Sequence, residues 1–383
     1  MEIRTLLAEM VKQGASDLYL TVDSPPRFRV EGVTTPFGTE VLKAKDVEAL
    51  AHSVMSERQR AAFDERLELN LAVASDQLGR FRINVFRQRG AVGVVVRQIK
   101  TTVPTLDELQ LPPIIKTIAL SRRGLVLVTG ATGSGKSTTQ AAMIDYRNET
   151  TTGHILTVED PIEFVHMHKK CLVNQREVGF DTISFAEALR NTMRQAPDVI
   201  LIGEVRDVET MEAAITFSET GHLCLGTLHS NNANQAIERV MNFFPVSRHP
   251  EIFLQLSLNL RGIISQRLIP GVDGKRVVAM EILIDTPWIK DLVKKGEIDT
   301  LKEAMEKSTL EGGQTFDQSL FGLYAEGRID EEQALANADS ANNLRIRIKN
   351  LELSGHASKV HRKPAAPGEG LRIEGAGTPL RRF

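Results

Sequence analysis

Gly130-Ala131-Thr132-Gly133-Ser134-Gly135-Lys136-Ser137-Thr138, in one-letter code GATGSGKST, decides how the rest of this chain is read. The run has the P-loop spacing: a glycine, four residues, then Gly-Lys-Ser. Glycines let successive backbone N–H groups turn inward around phosphate oxygens. All nine residues are therefore candidate phosphate-binding positions. Lys136 is the candidate partner of the β and γ phosphates, and the Ser137 hydroxyl is a candidate Mg²⁺ ligand. The flanks agree with this. Gly124–Thr129 (GLVLVT) is the apolar, β-branched run of a buried strand, and Thr138 to Tyr146 reads as the start of a helix. That helix would aim its positive end at the same phosphates.

Downstream, Asp198-Val199-Ile200-Leu201-Ile202-Gly203-Glu204 is a continuous apolar run ending in Gly-Glu. A buried parallel strand ending in an acid delivers a carboxylate to the crevice where ligands bind. Glu204 is thus the candidate catalytic acid that orients or deprotonates an attacking water. Between these two strands, His154-Ile155-Leu156-Thr157-Val158-Glu159-Asp160-Pro161-Ile162-Glu163 is a strand running into acids. Its carboxylates can hold Mg²⁺, directly or through waters, and position water. Glu159 and Asp160 join Ser137 as candidate metal residues, and Glu163 is a candidate catalytic acid. Thr220 to His229 (TGHLCLGTLH) is another strand, with His222 and His229 at its ends. Zinc is disfavoured, since there is no HExxH and no nearby cysteine pair. Either histidine could sense the γ phosphate or join subunits.

Residues 1–100 read as a small α/β domain. A helix is expected over Arg4–Gln13, a strand over Asp17–Val22 and a helical segment over 44–66. Further strands are expected at Leu69–Ala74, Gly79–Gln88 and Ala91–Ile99. In Gly79–Phe86 the alternation puts Arg80, Arg82 and Asn84 on one face. With Arg97 at the end of the next strand, they form a row of arginines suited to an anion, such as ATP held by a neighbouring subunit. Residues 101–113 hold three prolines and read as a linker. Residues 114–350 alternate strands and helices, as a parallel sheet covered on both faces does. Residues 351–383 read as a disordered tail rich in Gly, Pro, Ala and basic residues.

The 383-residue chain carries a net charge of −2 and two cysteines, Cys171 and Cys224, in no CxxC. A disulfide framework is not expected, and a reducing cytoplasm is the natural compartment. No apolar run approaches the roughly 20 residues that cross a bilayer. Near-neutral charge without a basic-aromatic stripe argues against nucleic acid as a partner, and so against a DNA translocase.

In order along the chain, GATGSGKST, ILTVEDPIEFVH, CLVNQREVGFDT, APDVILIGEVRD, ETGHLCLGTLHSNNA and ISQRLI resemble the secretion-type hexameric ATPases. The likeness is strongest to the type IV pilus retraction ATPase family, the PilT/PilU group, and it extends along most of residues 1–350. It implies a PAS-like N-terminal domain, a RecA-like P-loop ATPase domain with a mainly parallel sheet, and a homohexameric ring binding ATP between the domains. It makes Glu204 the catalytic acid and Glu163 an acid near the water. Arg82 and Arg97 become trans-acting arginines, and His222 and His229 a pair. It further implies a cytoplasmic motor at the inner membrane, facing a pilus platform protein. Where retraction motors of the PilT type carry an AIRxLIR-like segment, this chain reads WIKDLVKK over 288–295, with lysines for both arginines. Arg to Lys loses the planar fork. This departure and the tail resemble the PilU type, an accessory motor working with a PilT-like motor. A nucleotide-gated adaptor of low turnover is the alternative reading.

Overall fold

A computed structural model describes residues 2–30, 32–75 and 77–353. The opening helix α1 (Ile3–Lys12) buries Leu6, Leu7 and Met10, the stripe of an amphipathic helix. The single helical segment expected over 44–66 is two helices, α2 (Ala44–Ser53) and α3 (Glu57–Arg66). The break is local chemistry. Ser56 Oγ accepts from Gln59 N, and Gln59 Oε1 accepts from Ser56 N, a capping box that starts a new helix.

These helices cover one face of an antiparallel sheet. Its strands are β1 (Asp17–Leu20), β2 (Arg27–Val30), β3 (Val33–Pro36), β4 (Glu68–Ser75), β5 (Gly79–Gln88) and β6 (Ala91–Ile99). The spatial order is β3-β2-β1-β6-β5-β4. Phe81, Ile83 and Val85 from β5 and Val92, Val94 and Val96 from β6 are buried against the helices. Each such side chain contributes about 1.5–3 kcal/mol. The alternation leaves Arg80, Arg82 and Asn84 on the opposite face, as the sequence pattern requires. The β2–β3 hairpin was not expected. β3 is exposed along its length, an edge strand with no apolar face to announce it.

After the proline-containing connection, α4 (Ile114–Ala119) leads into the second sheet. Its elements run β7 (Gly124–Thr129), α5 (Lys136–Thr150), β8 (Gly153–Glu159), β9 (Cys171–Glu177), α6 (Phe185–Thr192), β10 (Val199–Ile202), α7 (Val208–Glu219) and β11 (Leu223–Leu228). They continue as α8 (Ala233–Phe243), α9 (His249–Asn259), β12 (Leu260–Pro270), β13 (Arg276–Ile284), α10 (Pro287–Lys295) and α11 (Leu301–Lys307). The order is β13-β12-β7-β11-β10-β8-β9, and β12, β7, β11, β10, β8 and β9 pair in parallel. β7, β10 and β11 are buried at every position, which is why each reads as an unbroken apolar run. The parallel arrangement brings the C-terminal ends of β7, β8, β10 and β11 to one edge. An isolated parallel bridge between Lys100 and Phe164 links the residue after β6 to the loop after β8.

Contact density divides the chain into two compact units. One holds the residues up to Leu268 together with Met280–Thr315, and so both sheets' central strands. The other gathers Ile269–Ala279 with the helices α12 (Phe316–Ala325), α13 (Glu331–Ala336) and α14 (Ala341–Leu353). It has its own core of Ile269, Val277, Phe316, Leu320, Ile329, Leu344 and Ile348. Residues 351–353, expected to open a disordered tail, instead close α14; the remainder of that segment lies outside the described residues. Among the described residues no helix is long and apolar enough to cross a membrane.

Candidate active site

The loop after β7 turns tightly enough to need its glycines. Gly130, Gly133 and Gly135 take φ of +146°, +77° and +92°. At Gly130 a Cβ would also stand 2.6 Å from the Gln266 carbonyl oxygen. Gly135 is the N-cap of α5, which begins at Lys136, two residues before the expected start. Ser137 and Thr138 therefore lie in the first turn, where unpaired N–H groups and the helix dipole favour an anion. Lys136 is 9% exposed, and its Nζ donates to the carbonyls of Gly130 (2.9 Å) and Ala131 (3.0 Å). Burial pulls its ammonium pKa down, against the charges of Glu204 and Glu163.

A cavity of about 260 Å³ opens beside this loop. Thr132, Gly133, Lys136 and Ser137 line one side; Glu159, Asp160, Glu163, Glu204 and His229 line the other. The strand ends explain the meeting. Gly203 N donates to Val158 O at 2.8 Å, and a Cβ on Gly203 would lie 3.1 Å from Glu159 Cα. Glycine before Glu204 thus permits the ends of β8 and β10 to close together. Glu204 Oε1 lies 3.4 Å from His229 Nε2, and both side chains are partly solvent-reachable. Thr227, also in the wall, donates its hydroxyl to Gly203 O and fixes the turn.

Glu159 behaves differently. Thr157 Oγ1 (2.6 Å) and Gln175 Nε2 (3.1 Å) donate to its Oε1. Burial pushes its carboxyl up to about 7, with those hydrogen bonds opposing and the charge of Glu163 adding to the rise. Ser137, Glu159 and Asp160, the expected metal residues, all line the cavity. Among the described residues no group of three His, Cys, Asp or Glu side chains is placed to hold a metal by itself. The donors present, one hydroxyl and nearby carboxylates, suit Mg²⁺ held chiefly by phosphates and waters.

Of the expected catalytic residues, three lie outside the cavity. His222 precedes β11 and His229 follows it, so they stand at opposite edges of the sheet, about 20 Å apart at a strand's rise per residue. His222 Nδ1 instead lies 3.1 Å from Thr220 Oγ1 and from Phe217 O. Arg82 and Arg97 are cross-strand partners on the first sheet. Arg97 Nε donates to the buried Asp17 carboxylate at 2.9 Å. Arg80 lies 3.8 Å from Glu177 at the end of β9, and Arg82 adds to the field there. Burial raises the Glu177 carboxyl while both arginines act against that rise.

Residue patterning missed Gln175, Gln266 and His166. Gln266 Nε2 donates to Thr139 Oγ1 at 2.9 Å, bracing α5 from β12. His166 is 8% exposed and lines the cavity, with its pKa lowered by burial. Their only signal was membership of segments quoted for likeness. A lone glutamine within a strand has no spacing rule to mark it.

A phosphate loop and two reachable carboxylates at the C-terminal edge of a RecA-like parallel sheet define the class, a P-loop ATPase. The profile of the family described as "Type II/IV secretion system protein" matches residues 2–305. The chain belongs to that family, among its PilT/PilU-type ATPases. It is 51% identical over 384 residues to the type IV pilus ATPase PilU of Pseudomonas aeruginosa, covering 100% of both chains. To the type IV pilus retraction ATPase PilT of the same organism it is 46% identical over 344 residues, 90% of this chain and 100% of PilT. A crystal structure of the pilus retraction motor PilT with bound ADP superposes with a TM-score of 0.85. That structure is 42% identical, with 90% of this chain and 99% of that one covered.

Proposed function

We propose that this chain is a Mg²⁺-dependent ATPase that works as a homohexameric motor, driving or assisting type IV pilus retraction and twitching motility. Of the two roles, the accessory PilU type is favoured. The observation that carries the reading is the convergence, at one sheet edge, of the P-loop after β7 with Glu163 after β8 and Glu204 after β10. Lys136 and the amides at the start of α5 hold the phosphates. Glu204, steadied by His229, orients and accepts the proton of the attacking water, and Glu163 shares in placing that water. Bound at Ser137 and the phosphates, Mg²⁺ supplies charge neutralisation. Arg82 and Arg97 reach a neighbouring subunit's nucleotide and stabilise the spreading charge. The support for that role is their position on the polar face of the first sheet, outside their own chain's cavity.

The ring sits in the cytoplasm, peripheral to the inner membrane, with a PilT-like motor and the pilus platform protein as partners. The near-full-length likeness to PilU supports this placement. The test is steady-state ATP hydrolysis by the purified chain across a wide protein concentration range, with Glu204→Ala as control. Turnover per chain that rises with concentration and vanishes in the control is expected. Equal turnover in Glu204→Ala would remove the assigned role, and concentration-independent turnover would remove the ring.

A further inference from the structure

The loop that carries Glu163 is pinned on both sides. From β9, the single side chain of Gln175 makes three hydrogen bonds. Its Oε1 accepts from His166 N at 2.8 Å, and its Nε2 donates to Phe164 O at 2.9 Å and to Glu159 Oε1 at 3.1 Å. From the other side, Val165 N donates to Lys100 O at 3.0 Å. Residues 164–166 are thus treated as a short strand, with a side-chain amide standing in for one neighbour and backbone for the other. Ile162 and Phe164 are buried on either side of Glu163. Glu163 itself is exposed to the cavity. Its freedom is reduced to its own rotamers.

Only a carboxamide fits here. The position needs one acceptor for His166 N–H and donors for a carbonyl and a carboxylate. Glutamate lacks the donors and lysine lacks the acceptor. The reverse amide orientation would set N–H against N–H and oxygen against two oxygens, so the network fixes it. We propose that Gln175 is a positioning residue for hydrolysis, acting through Glu163 by clasping the backbone at Phe164 and His166. This rests on the reading of Glu163 as an acid that places the water. A misplacement of about 1 Å at such a group costs on the order of a hundredfold in rate.

The test is a double-mutant cycle on the full chain, reading kcat for ATP and, separately, the Kd of fluorescently labelled ADP. Gln175→Leu is expected to lower kcat by roughly tenfold to a hundredfold while the Kd changes by less than about twofold. In a Glu163→Gln background the same substitution should add little, because the group it positions is already gone. Where Gln175→Leu does not fold, Gln175→Glu keeps the shape and the His166 acceptor, removes both donors and completes the same cycle. A loss that persists undiminished in Glu163→Gln, or that falls on Kd instead of kcat, overturns the proposal alone. Unchanged turnover in Glu163→Gln removes the reading beneath it as well.

Discussion

Glu204 and Glu159 follow or end neighbouring parallel strands of one sheet and line one cavity, yet the protein holds them in opposite ways. Glu204 is partly open to solvent and faces a histidine. Glu159 faces inward to Thr157 and Gln175, and burial lifts its carboxyl to about 7. Two identical side chains thereby acquire different work. The solvent-reachable one is open to a bound ligand, and the other serves as a hydrogen-bond acceptor that organises the wall. Environment, not residue type, divides them.

The open wall should show the largest effects. Lys136→Ala removes the cation from the phosphate loop and should weaken ATP binding by at least about a hundredfold, measured by calorimetry. Retained affinity would mean that the α5 N-terminus alone holds the phosphates. Glu204→Gln should keep ATP affinity and cost about 10²–10³ in kcat. A matching rise in KM with kcat intact would assign Glu204 to binding instead. His229→Ala removes the imidazole that stands 3.4 Å from Glu204 and should cost about tenfold in turnover.

The dry wall should show the smallest effect on turnover and a distinctive one on stability. Glu159→Gln preserves the acceptor and should change kcat by less than about threefold. In the wild type the folded state holds this proton up to about 7, against roughly 4.3 in an unfolded chain. The folded state therefore binds more protons across that window, and stability falls as pH rises through it. Glu159→Gln removes that slope. Its stability relative to wild type should climb between pH 5 and pH 8 by on the order of 3 kcal/mol, read from urea midpoints. Parallel curves would show Glu159 to be as well hydrated as Glu204 and would erase the contrast.

The open wall was legible because its strands advertise themselves. β7, β10 and β11 are buried on both faces, so their sequences are unbroken apolar runs, and within two residues they run into Gly130, Glu204 and His229. The alternation of β5 was equally readable, since one face is core and the other polar. The glutamines that brace the site from behind were not legible. Gln175 and Gln266 acquire their meaning only when distant strands meet, and sequence spacing carries no record of that. His222 and His229 bracket one strand and are separated by its length, a distance that sequence adjacency hides. The break between α2 and α3 was visible in principle, as Ser56 followed three residues later by Gln59. It was hidden by helix-forming residues on either side.

Lys100 follows directly on the last strand of the first sheet, and its carbonyl receives the amide of Val165, two residues beyond Glu163. The first sheet cannot swing without drawing on that bond or carrying the loop along. A displacement of that sheet is thus felt, one hydrogen bond away, in the loop that carries Glu163.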